Sequence, residues 1–246
     1  MKSLRSLPFG WFLAIAASAA FCAHAPAQVI ASSNFDDGPQ GWSLPVSSEW
    51  RAEGGNPGGF LFGPVDEPTN LTPFVGAPAS FLGDWSSLDG VGAIQFDYRR
   101  IENGSPINYF VPLTIVLNGG TLAPNSQAVW TGALITAPGP WARYAAPLRA
   151  SKWVIQSGTW QDILSNVTSV AFQLELVSNG TVDDQNGLDN VALCGSALAD
   201  FNFDCVVDGT DLGILLGAWG TAEADLNDDA FTDGTDLGIL LGQWSN

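Results

Sequence analysis

The sequence predicts a mainly β protein, an antiparallel β-sandwich of jelly-roll type, followed by a small acidic helical appendage. Two observations carry this. From residue 28 to about residue 194, short runs alternate apolar and polar residues between glycine- and proline-rich turns, with no helical periodicity. From Asp200 to the end, one ten-residue block occurs twice, among ten acids and no base. A length of 246 residues suits a medium domain with an appendage, and 46% hydrophobic residues exclude a disordered chain.

The first element is not part of the fold. Lys2 and Arg5 precede an almost continuous apolar run, Trp11 to Ala23, and Ala25-Pro26-Ala27 suits cleavage before Gln28. This is the pattern of a secretory signal, residues 1–27, and the run is too short for a confident membrane span. The expected location is outside the cell or at its surface. Cleavage removes His24, the sole histidine, together with Cys22, Lys2 and Arg5. The eight bases become six against 25 acids. Such a charge disfavours nucleic acid and anionic membranes and suits cations and neutral partners.

The sandwich is expected over residues 28–194. In Ile94-Gln95-Phe96-Asp97-Tyr98-Arg99 apolar and polar residues alternate strictly. Leu113, Ile115 and Leu117 line one face of a second run, and Val170, Phe172, Leu174 and Leu176 one face of a third. Gly54-Gly55-Asn56-Pro57-Gly58-Gly59, Asn118-Gly119-Gly120 and Pro138-Gly139-Pro140 supply turn chemistry. At the joint sit Cys194 and Cys205. Two cysteines in an exported chain usually pair, the other reading being two buried thiols.

Residues 195–246 form the appendage. Asp208 to Gly217 returns unchanged as Asp233 to Gly242. Each copy follows acidic residues at fixed offsets, placing oxygen ligands at loop positions 1, 3, 5, 9 and 12, as calcium requires. In the first loop these are Asp200, Asn202, Asp204, Asp208 and Asp211, with Val206 offering a backbone carbonyl. In the second they are Asp225, Asn227, Asp229, Asp233 and Asp236, with Phe231 in the carbonyl place. A short helix is expected after each loop. Leu212, Leu215, Leu216 and Trp219 share one face, as do Leu237, Leu240, Leu241 and Trp244. The internal glycines weaken such helices by about 1 kcal/mol apiece. Either copy alone is too small to be stable, so calcium and the other copy must contribute.

An EF-hand would end on Glu and carry Gly at position 6. Here position 12 is Asp, position 6 is Cys205 or Ala230, and no helix signal precedes the loop. A loop followed by a helix, duplicated in phase, resembles a type I dockerin. That resemblance implies calcium-dependent folding and a cohesin-like or cell-surface protein partner. The basic residues usual on the recognition helix are missing, and Leu-Gly-Ile-Leu-Leu-Gly takes their place.

The main domain resembles a laminin domain IV (laminin B type) module. The residues that carry this are Gly41-Trp42, Gly55 to Gly59, Phe81-Leu82-Gly83-Asp84, Trp141-Ala142-Arg143-Tyr144, Leu164-Ser165-Asn166-Val167 and Gly187-Leu188-Asp189-Asn190-Val191. The resemblance implies a galactose-binding-like jelly roll without enzymatic activity. Related sandwiches often hold a structural calcium where the first and last strands meet. Asp36, Asp37 and Asp189 are the candidates here, and turn-capping acids are the other reading.

Seven tryptophans remain in this domain: Trp42, Trp50, Trp85, Trp130, Trp141, Trp153 and Trp160. Most should be core, with one or two lining a concave face as platforms for sugar rings. Trp50 and Trp85 sit among polar neighbours and are the ones expected exposed. Without a mature histidine, Ser-His-Asp, Cys-His and His-metal chemistry is excluded. A glycosidase needs only two carboxylates, but no pair is singled out by spacing. The expected function is a secreted, non-catalytic binding or adhesion module for carbohydrate or extracellular matrix. The alternative is a polysaccharide-degrading component with a dockerin tail.

Overall fold

The structure, a computed structural model, describes residues 29–46, 48–63, 74–102, 110–122, 126–175, 184–195 and 198–245. The apolar N-terminal segment, its cleavage site and Leu176 lie outside the described residues.

Two antiparallel sheets face each other. The first contains β1 (Val29–Ser33), β2 (Glu49–Arg51), β3 (Phe60–Gly63), β5 (Ala93–Glu102), β8 (Ala142–Pro147) and β11 (Gln185–Cys194). Its order is β2-β3-β11-β5-β8, and β1 also pairs with β11. The second contains β4 (Phe74–Gly76), β6 (Thr114–Gly119), β7 (Ser126–Thr131), β9 (Val154–Ser157) and β10 (Val167–Gln173), ordered β4-β10-β6-β7-β9. A short helix, α1 (Trp160–Ser165), lies between β9 and β10, its first turn capped by Thr159. This is the predicted jelly-roll sandwich. Consecutive pairs such as β6 with β7 alternate with long-range pairs such as β5 with β11.

The alternating runs supply the core. Ile94, Phe96 and Tyr98 point inward from β5, Ile115 and Leu117 from β6, and Val170 and Phe172 from β10. Trp42 sits among Phe35, Phe81 and Phe172, with ring centroids 5.6 to 5.7 Å away. Tilted and edge-to-face contacts of this kind add to the area they bury.

The opposite face of β5 departs from the prediction. Strict alternation implies a wet polar face, yet Gln95 and Asp97 are also buried. Gln95 is covered by the chain's own C-terminal segment, and Asp97 by Asn56, Arg143 and Asn190 of the sandwich. Gln95 Nε2 donates to Asp200 Oδ2 (2.6 Å), and Cys205 packs beside Ala93. Cys194, the last residue of β11, is disulfide-bonded to Cys205. The expected pairing is present.

Strand β11 bears β3 along residues 186–188 and β1 along residues 191–194 of the same edge. Its register against β5 shifts between Asp189 and Ala192, and Asn190 takes a left-handed φ of 47°. The bulge turns Asp189 towards the 54–59 turn, where the two edge strands leave a gap.

The appendage contains α2 (Gly209–Gly217) and α3 (Gly234–Gly242) around a separate small core of Val207, Leu215, Ala218, Leu226 and Leu240. The predicted apolar faces are narrower than expected. Leu215 and Leu240 are buried, Leu212, Leu237 and Trp244 are half-buried, and Leu216, Trp219 and Leu241 are about half exposed. Helices of nine residues meet over little surface, so one leucine of each reaches the centre.

Candidate functional site

The two acidic loops share one conformation. Position 4 and position 6 are left-handed in both: Phe203 and Cys205 (φ 60° and 62°), then Asp228 and Ala230 (φ 63° and 72°). An EF-hand places Gly at position 6 for this bend. Position 12 is buried in both loops, at Asp211 and Asp236. Asp211 Oδ1 accepts from Phe201 N (2.7 Å) and Asn202 N (3.2 Å), and Oδ2 from Asp208 N (2.9 Å). Asp236 accepts from Leu226 N and Asp233 N, both at 2.7 Å. Position 1 takes the N–H groups of positions 5 and 6: Asp200 from Asp204 and Cys205, Asp225 from Asp229 and Ala230. Burial pushes the Asp200 carboxyl above its ordinary range, since a charge is disfavoured away from water.

Among the described residues no three acidic, His or Cys side chains stand as a ready-made metal cage, because these carboxylates face backbone N–H groups. The donor set is all oxygen, which a hard cation takes. Val206 and Phe231 are exposed, which leaves their side chains out of the loop interior as a carbonyl ligand requires. The ligand types therefore fit calcium.

Both loops are fixed to the sandwich. Arg143 Nη1 donates to Phe203 O (2.8 Å). At the second loop, Arg149 Nη1 and Lys152 Nζ reach Asp228 at 2.9 and 3.1 Å, and Arg149 Nη2 donates to Leu226 O. Asp228 is held below the usual carboxylate range, first by its hydrogen bond from Lys152. Asp228 is position 4, which is not a ligand place, so nothing in the spacing of the ligands pointed to it.

Asp36 and Asp189 are brought to the same turn. A Cβ on Gly58 would fall 1.8 Å from Asp36 Oδ1, and one on Gly55 2.7 Å from Asp189 Oδ2. Only glycine admits the two carboxylates here. Asp189 accepts from Asn56 N (2.6 Å) and Asn190 N (2.7 Å), and burial pushes it up to about 7. Asp37 is exposed on the adjoining turn.

The tryptophan expectation needs correction. Trp85 is buried, because the turn at Ser86–Leu88 directs it inward against its polar neighbours. Trp50 is half-buried and donates to Phe35 O (2.7 Å). Trp42, Trp130, Trp153 and Trp160 are core, as most were expected to be. The half-exposed ring that sequence reasoning did not single out is Trp141. It lies over Gly187, where a Cβ would come 2.6 Å from the ring, and its edge-to-face neighbour is Phe60 at 5.4 Å.

No family model matches this chain. No curated protein matches it either. Several solved structures are similar to parts of it at low identity. The L4b domain of human laminin alpha-2 is 12% identical over 51% of this chain and 71% of its own, with a TM-score of 0.42. A family 11 carbohydrate-binding module from Clostridium thermocellum, in complex with a β-1,3-1,4-mixed-linked tetrasaccharide, is 15% identical over 70% and 98%, with a TM-score of 0.41. A mannan-recognising module, TmCBM27, is 15% identical over 70% and 99%, with a TM-score of 0.36. At identities and TM-scores this low, the likeness carries no argument about what this chain does. Among the described residues no helix is long and apolar enough to cross a membrane.

Proposed function

We propose that this is a secreted, non-catalytic binding module whose sandwich recognises carbohydrate and whose C-terminal loops bind calcium and dock a protein partner. One observation supports the binding reading over the hydrolytic one. The two buried carboxyls that approach each other on the six-stranded sheet, Asp97 and Asp189, are both occupied by protein donors. Asp97 takes the Arg143 guanidinium together with Asn56 Nδ2 and Asn190 Nδ2, while Asp189 takes two backbone N–H groups. Neither is left to protonate a leaving group or attack a sugar. In the tail, the all-oxygen loops support calcium. The exposed Ile214, Leu216, Trp219 and Leu241 offer an apolar surface to a cohesin-like or cell-surface protein.

Affinity electrophoresis against mixed-linkage β-glucan and mannan, with a parallel reducing-sugar assay, tests the sandwich. Retardation without reducing-end release is expected, and release that vanishes on substituting Asp97 or Asp189 would make it a hydrolase. For the tail, hydrogen exchange is followed with and without a chelator. Residues 200–245 should lose protection while the sandwich keeps it, because their cores are separate. Indifference to the chelator would remove calcium from the account.

A further inference from the structure

The first acidic loop closes one side of a cleft on the outer face of the six-stranded sheet. The cleft holds about 630 Å³ and is lined by Asn56, Asp97, Trp141 and Arg143 of the sandwich and by residues 202–204 of the loop. Sites for small ligands run from about 300 to 1,000 Å³. A hollow of about 220 Å³ adjoins it, sharing Arg143, Phe203 and Asp204 and reaching Asn34 and Asn190.

The groups facing this cleft are held before any ligand arrives. Trp141 Nε1 donates to Gly54 O (3.0 Å), so the ring's polar edge is used; the ring packs on Gly187, Arg99 stands 5.7 Å from its centroid, and it stays half-exposed. Arg143 spends three of its five N–H groups, on Asp97 through Nε and Nη2 and on Phe203 O through Nη1. Two N–H groups stay without a protein partner among the described residues. Asn56 Nδ2 is bound to Asp97 (3.1 Å), which leaves its Oδ1 as an acceptor. An apolar plate beside fixed donors and an acceptor is the complement of a pyranose ring, which has an apolar face and hydroxyls at its rim. Groups fixed in advance lose little freedom on binding. The charge selects further. Asp97 neutralises Arg143, and the chain carries a net charge of -17, so an anionic sugar is repelled.

We propose that this cleft, between the sandwich and its own first acidic loop, is a subsite for one or two neutral pyranose units. Trp141 is the platform, and Arg143 and Asn56 grip hydroxyls. The assignment rests on the carbohydrate reading above and adds its place and charge preference. Asn202 and Asp204 are calcium-ligand candidates, so only the backbone of their loop is assigned here, as the opposite wall.

Isothermal titration of mixed-linkage β-glucan and mannan oligosaccharides is compared for the wild type, Trp141→Ala, Trp141→Phe and Arg143→Gln, with polygalacturonate as the anionic probe. At least a tenfold loss is expected for Trp141→Ala, a smaller one for Trp141→Phe, and a several-fold loss for Arg143→Gln. Polygalacturonate should bind more weakly than the neutral sugars. Should a substitution unfold the domain, oxidative footprinting of the wild type gives the same answer, since bound oligosaccharide must protect Trp141. If the wild type binds while Trp141 and Arg143 prove irrelevant and unprotected, the sugar sits elsewhere, and the cleft assignment fails while the carbohydrate reading stands. Binding of neither glucan nor mannan would remove both.

Discussion

Ala230 and Cys205 occupy the same left-handed place in their loops, yet only one of them is cross-linked. A left-handed non-glycine residue costs roughly 1–2 kcal/mol. Ala230→Gly should therefore stabilise the tail by about 1 kcal/mol, read as a higher urea midpoint of the far-ultraviolet helical signal. An unchanged or lower midpoint would mean that this bend is not populated in solution. A second residue-scale expectation concerns Tyr98, which is fully buried. Burial raises its phenol well above the ordinary tyrosine value of about 10. The unfolded chain ionises near that value while the folded one stays neutral, so stability is complete below about pH 10 and falls above it. Tyr98→Phe should flatten this alkaline loss in denaturation curves measured from pH 8 to 11.

The two identical ten-residue blocks build identical helix starts. Asp208 and Asp233 each accept a 2.7 Å bond from the N–H of the Thr two places on, and Asp211 and Asp236 complete a capping box in return. With calcium in excess, Asp233→Ala should cost at least about 1 kcal/mol of helix stability, read as a lower urea midpoint, because it removes the cap. The internal glycines act in the opposite sense. A Cβ on Gly213 or Gly238 would meet nothing within 4 Å, and neither residue has a positive φ. Gly213→Ala should stabilise α2 by about 1 kcal/mol, seen as increased helicity and a higher midpoint. A loss instead would show that the glycine serves a contact made only with a partner. Among the strands, alternation correctly placed Ile94, Phe96 and Tyr98 in the core. It could not say that Gln95 and Asp97 would be covered as well, because what covers them lies 41 to 105 residues away along the chain.

At the scale of the molecule, sandwich and tail have separate cores but one framework. The disulfide spans a sequence separation of 11, and loop-closure entropy at that length is worth about 3 kcal/mol or less. Replacing Cys194 and Cys205 with Ser should lower tail stability by an amount of this order. It should leave the sandwich transition in place, which two-wavelength denaturation can check. Coincident loss of both transitions would show a single cooperative unit. The bonds of Arg149 and Lys152 to Asp228 contribute less, since these side chains are partly exposed and screened by solvent.

By itself the sequence determined the sandwich, the duplicated loop and helix and most of the buried aromatic residues, and it favoured the cysteine pairing that the structure contains. These follow from local periodicity and exact repetition, which read along the chain. The tertiary structure decided that Trp141 is left half-exposed and Trp85 buried, how Asp97 fixes Arg143, and that the first acidic loop walls a cleft on the sheet. Those facts depend on a bulge in β11, on a glycine that admits the Trp141 ring, and on residues 41 to 134 positions apart meeting at one place. No local pattern encodes such meetings, because hydrogen bonds and burial between distant segments are settled only when the sheets close.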